Sequence, residues 1–553
     1  MDSQWTISIE WAGRRFALPL QDNPTVTGKA SLFAPDLAQR TAQVVCLDTF
    51  GFARAVADGH MPQTGLATLF YRDRVLVSGS MSDVEYGPHG SPVSFKVGES
   101  IHDETAVIPS AGEVLRSPSD EQIVEFYSAI FEGAPEGVAE AMVHMVRAKE
   151  AEARQARRFA ATSGAWSDLP RVSENVLYPL VYGAPGSSKH PGSPALFVDT
   201  SNGHWLIAGH PVEASTVTLW GPGPLGELVK QADMTVYHKR DGLGREIAYV
   251  SQADLDGDQN EMSSDESGIM HFGSGIQVED DGKYYVSWTG GNALPGGAGD
   301  VLVSLLRLSS LRVNLPAWEA IAPILNRYTL AGFVNEEVSP SALALRQIAK
   351  DLPVGSRYGR QGLEPMLWPW LDDVDGSAYV AHLTASTPDP ETGTYPPGYS
   401  CYLQSGVTFT ADSGITSQRL SYAYDAEADE FSAVAEASAD VHTYGGVAAS
   451  MVGLTEAGEG RKTRWVWDEA TAEALAAVIV RARARPRRRF RAACDSAIVG
   501  IGGTHELAEG DQIRQTVPSL YIEDLPAFIV EYSPRGPMVE VVIELRDDPV
   551  RDR

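Results

Sequence analysis

Apolar and polar positions alternate along much of the chain, which predicts a protein built mainly from short β-strands. Within residues 74–100, RVLVSGSMSDVEYGPHGSPVSFKVGES places two apolar-rich runs on either side of GPHGSP. Glycine and proline favour a turn there, so the segment predicts a hairpin. Residues 1–117 as a whole are expected to form one β unit.

Two helical segments follow at different points of the chain. Ser119 and Gln122 resemble a capping box, and apolar residues then recur at helical spacing within 118–164. Residues 299–352 begin with GDVLVSLLRLSS, which is apolar on every face and predicts a buried helix.

Strand patterns fill the rest. Residues 165–298 contain ALFVD, HWLIAG, STVTLW, MTVYHK, REIAYVSQ and KYYVSW, separated by loops rich in Gly, Pro, Asp and Ser. They predict a compact β domain. Residues 353–553 return to strands, interrupted by a helix over 468–484 that Asp468 caps and Pro486 ends, because proline cannot continue it.

A chain of 553 residues is too long for one hydrophobic core. The predicted fold class is therefore β-rich α+β and multidomain, with an inserted β domain and connecting helices.

Composition narrows the function. The 73 acidic residues outnumber 44 Lys and Arg, and the net charge of −29 repels DNA at long range. Cys46, Cys401 and Cys494 are too few and too scattered for a disulfide framework or a cysteine-ligated metal. The N-terminus has no apolar signal region, and no run has the roughly 18 apolar residues of a membrane helix. A protein made in the cytosol is expected.

The sharpest metal candidate is DLDGDQNEMSSDE, in which Asp254, Asp256 and Asp258 alternate. Their carboxylates could converge on calcium, which prefers several oxygen ligands. An EF-hand loop has glycine at position six and glutamate at position twelve. Here the glycine, Gly257, is at position four, Asp265 is at position twelve, and the flanking segments are predicted to be strands. A solvated acidic loop remains the other interpretation.

No catalytic motif stands out, since GxSxG and GxxxxGK[ST] are both absent from the sequence. Aromatic residues cluster at LWPW, which includes Trp368 and Trp370, and at WVW over 465–467. Such clusters can stack on sugars, although they more often pack in a core or an interface.

Several blocks in a fixed order resemble the baseplate or tail-tip hub proteins of long-tailed bacteriophages. The 74–97 hairpin fits the first barrel of those proteins, and four further blocks are similar to them. These blocks are SENVLYPLVYGAPGSSKHPGSPALFVD (173–199), GDVLVSLLRLSSLRVNLPAWEAIAPILNRYTLAGFVNE (299–336), KDLPVGSRYGRQGLEPMLWPW (350–370) and HELAEGDQIRQTVPSLYIEDLPAFIVEY (505–532).

The resemblance implies two hub-type β-barrels per subunit and a homotrimer with pseudo-sixfold symmetry. It divides the chain into a first barrel over 1–117 and a second barrel over 353–553, with the helices and the inserted domain between them. It also implies a structural protein of the virion tail, made in the host cytoplasm. Its partners would be distal tail, tape-measure, fibre or tip proteins, with DNA only in transit.

The resemblance brings no catalytic residue and no cofactor. Three scattered cysteines cannot supply an iron–sulfur site, and no lysozyme or peptidase motif is appended. Two alternatives remain open. One is a polysaccharide hydrolase with calcium at Asp254, Asp256 and Asp258. The other is a carbohydrate-binding module with Trp368 and Trp370 as platforms.

The stretch RARARPRRRFR, residues 481–491, is unusually basic for this chain. Before Pro486, its arginines fall at a helix end, where cations favour the helix dipole. After it, Arg487, Arg489 and Arg491 alternate and share one face of a strand. Because buried arginines need paired acids, we expect a subunit-interface or intra-barrel ion-pair role in preference to DNA contact.

Overall fold

Strands dominate the part of the chain that the structure, a computed structural model, describes. They form a fourteen-stranded sheet, a seven-stranded sheet and four smaller sheets within that part. The prediction of a β-rich protein is confirmed. The described residues are 5–29, 41–62, 65–71, 74–98, 106, 108, 179–199, 204–222, 228–240, 246–251, 283–288, 290–335, 338–359, 362–368, 379–387, 391–392, 399–410, 415–425, 428–439, 443–444, 447–448, 460–483, 487–495, 507–535 and 538–545.

The N-terminal part of the chain forms an open antiparallel sheet in the order β2-β1-β5-β6-β7-β4-β3. Its elements are β1 (Trp5–Trp11), β2 (Arg14–Ala17), β3 (Thr25–Lys29), β4 (Thr41–Leu47), α1 (Phe52–Ala57), β5 (Leu66–Tyr71), β6 (Arg74–Glu85) and β7 (Pro92–Gly98).

Period-two alternation explains why these residues form this sheet. Along β1, Trp5, Ile7, Ile9 and Trp11 are buried while the residues between them are not. Successive strand side chains point to opposite faces, so one face packs into the core and the other faces solvent. Burial of such apolar side chains stabilises the sheet by roughly 1.5–3 kcal/mol each.

A second antiparallel sheet has the order β12-β11-β15-β9-β10-β14-β13, and Trp205 and Trp288 lie in its core. The strands predicted at ALFVD, HWLIAG, STVTLW, REIAYVSQ and KYYVSW are found here, whereas MTVYHK is divided between two strands, Leu228–Thr235 and Tyr237–Arg240. The strands, preceded by β8 (Leu180–Tyr182), are β9 (Ser193–Asp199), β10 (His204–Ala208), β11 (Thr216–Pro222), β12 (Leu228–Thr235), β13 (Tyr237–Arg240), β14 (Glu246–Ser251) and β15 (Tyr284–Ser287).

Helices from distant parts of the chain share one core. They are α2 (Ala298–Arg307), α3 (Leu315–Leu325), α4 (Glu469–Arg483) and a run made of Pro340–Ala342 (α), Leu343–Ile348 (π) and Ala349–Asp351 (3₁₀). The predicted buried helix is confirmed, since seven of the ten residues of α2 are buried. Asp468 caps α4 as predicted, because its Oδ2 accepts a hydrogen bond from the Thr471 amide at 2.8 Å.

Six strands near the C-terminus close into a barrel. They are β19 (Ala381–Ser386), β20 (Cys401–Leu403), β27 (Arg487–Asp495), β28 (Gln512–Val517), β29 (Ile522–Arg535) and β30 (Met538–Leu545). The ring runs β29-β28-β19-β20-β27-β30, and β30 then pairs with β29. Leu383, Phe490, Ile513 and Ile543 belong to the buried core of this barrel.

The open sheet and the barrel are one continuous sheet. Glu531 and Tyr532 of β29 pair with Lys29 and Gly28 of β3. A long strand therefore belongs to both units, and the 14 residues of β29 provide the length for it.

The remaining elements are β16 (Gly332–Val334), β17 (Val354–Gly359), β18 (Gly362–Leu367), β21 (Thr408–Thr410), β22 (Ser417–Asp425), β23 (Glu430–Ser438), β24 (Thr443–Tyr444), β25 (Val447–Ala448), β26 (Arg461–Lys462) and a 3₁₀ turn (Pro518–Leu520). Leu420 of β22 and Leu475 of α4 lie in the helical core rather than in the barrel core. Part of the segment predicted as the second barrel, 353–553, thus packs elsewhere.

Two further predictions concern helices. The helical segment over 118–164 lies outside the described residues. In the described ranges, no helix has the length and apolar character needed to cross a membrane.

An acid is buried where the 340–351 helical run meets β26. Asp351 is 7 % exposed, and its Oδ2 has no hydrogen-bond partner among the described residues. Burial raises the pKa of this carboxyl from 3.8 to about 6. The cations of Lys350 and Arg461 and a hydrogen bond with Thr463 oppose that rise.

We expect Asp351→Asn to change how stability depends on pH. The pKa of Asp351 is higher in the folded state than in the unfolded state, so its protonation stabilises the fold below about pH 4. This stabilisation is lost as the pH rises through about 6. The neutral amide avoids that loss, so the variant should match the wild type near pH 4 and exceed it by about 2 kcal/mol near pH 7.5. Urea unfolding at both pH values measures this difference, and equal stability at pH 7.5 would contradict the expectation.

Candidate functional site

The predicted calcium ligands cannot be placed. Asp254, Asp256 and Asp258 lie outside the described residues, so the calcium site stays a prediction. In the ranges that the structure does describe, no group of three or more His, Cys, Asp or Glu side chains is arranged to hold a metal ion.

The three cysteines are free thiols in the core, as expected from their scatter. Cys46, Cys401 and Cys494 are all buried. Burial raises the pKa of the Cys46 thiol to about 12, because the thiolate would lose its hydration. A group held as the thiol is a poor nucleophile, so Cys46 is suited to packing rather than to chemistry.

The basic stretch divides into a helix end and a strand. Arg481 and Arg483 lie in the last turn of α4, and β27 begins at Arg487. In β27, Phe490 points into the barrel core and Arg491 is exposed. The sequence predicted this division correctly.

One arginine of the strand face has its partner on a neighbouring strand of the barrel. The Arg489 guanidinium Nε donates to Glu544 Oε2 of β30 at 2.5 Å. Glu544 is 1 % exposed and Arg489 is 31 % exposed, so the acid is the fully buried partner. The two residues are also direct register partners across β27 and β30. The ion pair therefore spans the two strands at one of the pairings that close the barrel.

A second arginine, which is largely buried, joins the β17–β18 hairpin to the barrel. Arg357 Nη1 donates to Asp511 Oδ1 at 2.5 Å and to the Glu509 carbonyl at 2.8 Å. Its Nε lies 3.6 Å from Glu364 Oε2 on the neighbouring strand. Burial lowers the pKa of Arg357, but Asp511 and the other acids outweigh this effect and raise it. The guanidinium is therefore charged and fixed.

The turn that receives Arg357 has its own tight geometry. Asp511 Oδ2 accepts from the Ala508 amide at 2.8 Å, which closes the turn before β28. Gly510 has a φ of 81°, and a Cβ there would lie 2.2 Å from Met366 Sδ. Only glycine fits this position without strain in the backbone and a shift of the Met366 side chain.

This contact explains two sequence blocks at once. GSRYGRQGLEPM contains Arg357, and LAEGDQI contains Asp511. The structure brings the two blocks together although they are about 150 residues apart. The sequence identifies each block but not the Arg357–Asp511 pair, because the residues around each of the two do not indicate which distant residue it contacts.

The prediction of Trp368 as a sugar platform is wrong. Trp368 is 2 % exposed and packs beside Val478 and Ile324. Its partner in that prediction, Trp370, lies outside the described residues. The other aromatic cluster keeps an accessible member, since Trp465 is buried while Trp467 is half-buried beside a cavity.

We expect the Arg489–Glu544 pair to behave as a coupled unit. Arg489→Met leaves a buried carboxylate unpaired and should destabilise the barrel by about 2 kcal/mol, below the range for fully buried pairs because Arg489 is partly exposed. The double variant Arg489→Met/Glu544→Met should recover most of that loss. Urea unfolding of both single variants, the double variant and the wild type measures the coupling. Losses that simply add would contradict it.

Comparison with known proteins gives structural matches only. No protein-family model matches the sequence, and no curated protein matches it. A tail protein from Neisseria meningitidis has 6 % identity and a TM-score of 0.37, covering 99 % of this chain and 97 % of its own. A 43 kDa tail protein of prophage MuSo2 from Shewanella oneidensis has 7 % identity and a TM-score of 0.35, covering 98 % of each chain.

A third match is prophage tail protein gp18 from Listeria monocytogenes. It has 9 % identity and a TM-score of 0.21, covering 60 % of this chain and 88 % of its own. Overlays this loose do not establish a shared activity or assembly. Each of the three matched structures is that of a tail protein.

Proposed function

We propose that this chain is a structural subunit of a phage tail. Three copies would form a ring-shaped hub that joins the tail tube to the tip or to receptor-binding fibres. The ordered sequence blocks from 74–97 to 505–532 motivate this proposal, because they resemble hub proteins.

The continuous sheet is the observation that carries the proposal. One subunit holds an open seven-stranded sheet and a closed six-stranded barrel, linked through the β3–β29 pairing. Three subunits would therefore place six β units around an axis. A rigid link between two units of one chain is what a ring with pseudo-sixfold symmetry needs.

The open sheet also offers an edge for assembly. Strand β2 is the outer strand of that sheet, and both Arg14 and Arg15 on it are exposed. Charged side chains on an edge strand discourage indiscriminate pairing with other sheets. A neighbour with complementary acids would meet this edge favourably, and the chain has a surplus of acids.

The acidic composition suits a conduit for DNA. With a net charge of −29, the surface would repel phosphates rather than bind them. DNA could then pass through the ring without sticking, and the partners would be neighbouring tail proteins. We propose that this role needs no catalysis and no cofactor.

The alternative is a glycan-degrading or glycan-binding tail protein with a calcium-stabilised loop at 254–265. Hydrolysis of capsular or cell-wall glycans that is lost in Asp256→Ala would favour it. Absence of any such hydrolysis would favour the structural role.

The hub proposal predicts a defined oligomer with a defined location. Sedimentation should give a species of three times the 59.5 kDa chain mass. Antibody-labelled electron micrographs of particles should place the protein at the tail end. A stable monomer that is absent from particles would overturn the proposal.

We expect Arg491→Glu to weaken the oligomer at least tenfold without unfolding the subunit. Arg491 is exposed beside the internally paired Arg489, so it is available to a neighbouring subunit. The matched control is Arg481→Glu, the same charge reversal on α4 in the same basic stretch. Sedimentation equilibrium compares the two variants. Equal weakening by both would point to net charge rather than to an interface at β27.

A further inference from the structure

A half-open aromatic cavity of about 240 Å³ lies beside the helical core. Its walls come from β16, from the 340–351 helical run, from β22 and from the segment before α4. Phe333, Tyr424, Arg464 and Trp467 line it together with polar side chains. None of these residues belongs to the barrel contacts described above.

The backbone holds the cavity wall in place from both sides. The Ala331 amide donates to the Trp465 carbonyl at 2.8 Å, and the Ala423 amide donates to the Val466 carbonyl at 2.8 Å. Trp465 itself is buried against Gly332, where a Cβ would lie 2.8 Å from its ring. The cavity is therefore preformed, which favours binding because little ordering remains to be done.

Arg464 is the one cation among the described residues that line the cavity, and it lies beside an acid. The Arg464 guanidinium lies over the Tyr424 ring, 4.3 Å from its centroid. Its Nη2 is 3.4 Å from Asp429 Oδ1, which also accepts a hydrogen bond from the Tyr424 hydroxyl at 2.7 Å. The stack is held as a planar wall with no net charge, and an anionic ligand gains little there, least of all on a chain of charge −29.

Neutral hydrogen-bonding groups complete the lining. Asn335 and Gln347, which are both exposed, line the same cavity as the rings. Each amide side chain carries two N–H donors and one carbonyl acceptor. Aromatic faces beside such amides match a pyranose ring, whose C–H face is apolar and whose edge carries hydroxyls. The volume is below the roughly 300 Å³ at which pockets for drug-sized ligands begin, so it suits one sugar unit.

We propose that this cavity binds a single neutral pyranose unit of a glycan. Trp467 provides the stacking face, and Gln347 and Asn335 bind the hydroxyls. Its described lining residues lie outside both the barrel and the open N-terminal sheet. It would give a tail subunit a contact with surface sugars.

Methyl glycosides of glucose, galactose and N-acetylglucosamine are suitable probes. Titration calorimetry and saturation-transfer NMR on the full chain should show binding of at least one of them. Trp467→Ala should weaken that binding at least tenfold, and Gln347→Met, which keeps the length but removes the amide, at least threefold.

Tyr521→Ala is the matched control. Tyr521 is 99 % exposed and does not line the cavity, so its loss removes an aromatic side chain without touching the site. Its affinity should equal that of the wild type. Gln347 is exposed, so its variant tests the site even if Trp467→Ala fails to fold.

Three results would overturn the proposal. The first is that none of the three glycosides binds at about 50 mM, a concentration high enough to detect even a weak site. The second is unchanged affinity in both cavity variants. The third is tighter binding of methyl glucuronide than of the neutral sugars, which would mean that Arg464 acts as a free cation.

Discussion

The pairing of β30 with both β27 and β29 is the interaction on which the C-terminal half depends. Without it, the six strands would form an open sheet with two unsatisfied edges. With it, every strand of the ring has two neighbours, and the inward side chains fill a single core. The Arg489–Glu544 pair lies across one of these two pairings, so a buried charge is tolerated where strand alignment matters.

The barrel also anchors elements on either side of it. Strand β29 continues past the barrel to meet β3, which makes the N-terminal sheet an extension of the same hydrogen-bonded structure. On the other side, Arg357 docks the β17–β18 hairpin onto the turn before β28. Backbone pairing with β3 and the ion pair between Arg357 and Asp511 therefore connect the barrel to the elements around it.

The helical core has a different character. Its residues are Ile108, Tyr182 and members of 298–363 and 420–476, so this core joins segments that are far apart in the sequence. The aromatic cavity lies at its border, where the chain leaves β26 and enters α4. The same short segment therefore contributes Trp465 to this core and Trp467 to the wall of the cavity. The continuous sheet that supports the hub proposal and the cavity proposed to bind a sugar thus lie in separate parts of the molecule.

Local patterns in the sequence determined the elements. Period-two alternation identified the strands of the inserted sheet, and the cap at Asp468 identified the start of α4, because both signals depend on neighbouring residues alone. The division of the basic stretch into helix and strand followed from proline chemistry for the same reason. Partners across the chain were decided only by the tertiary structure. Arg357 finds Asp511, and Trp368 is buried while Trp467 is not, since pairing and burial depend on which distant surfaces meet.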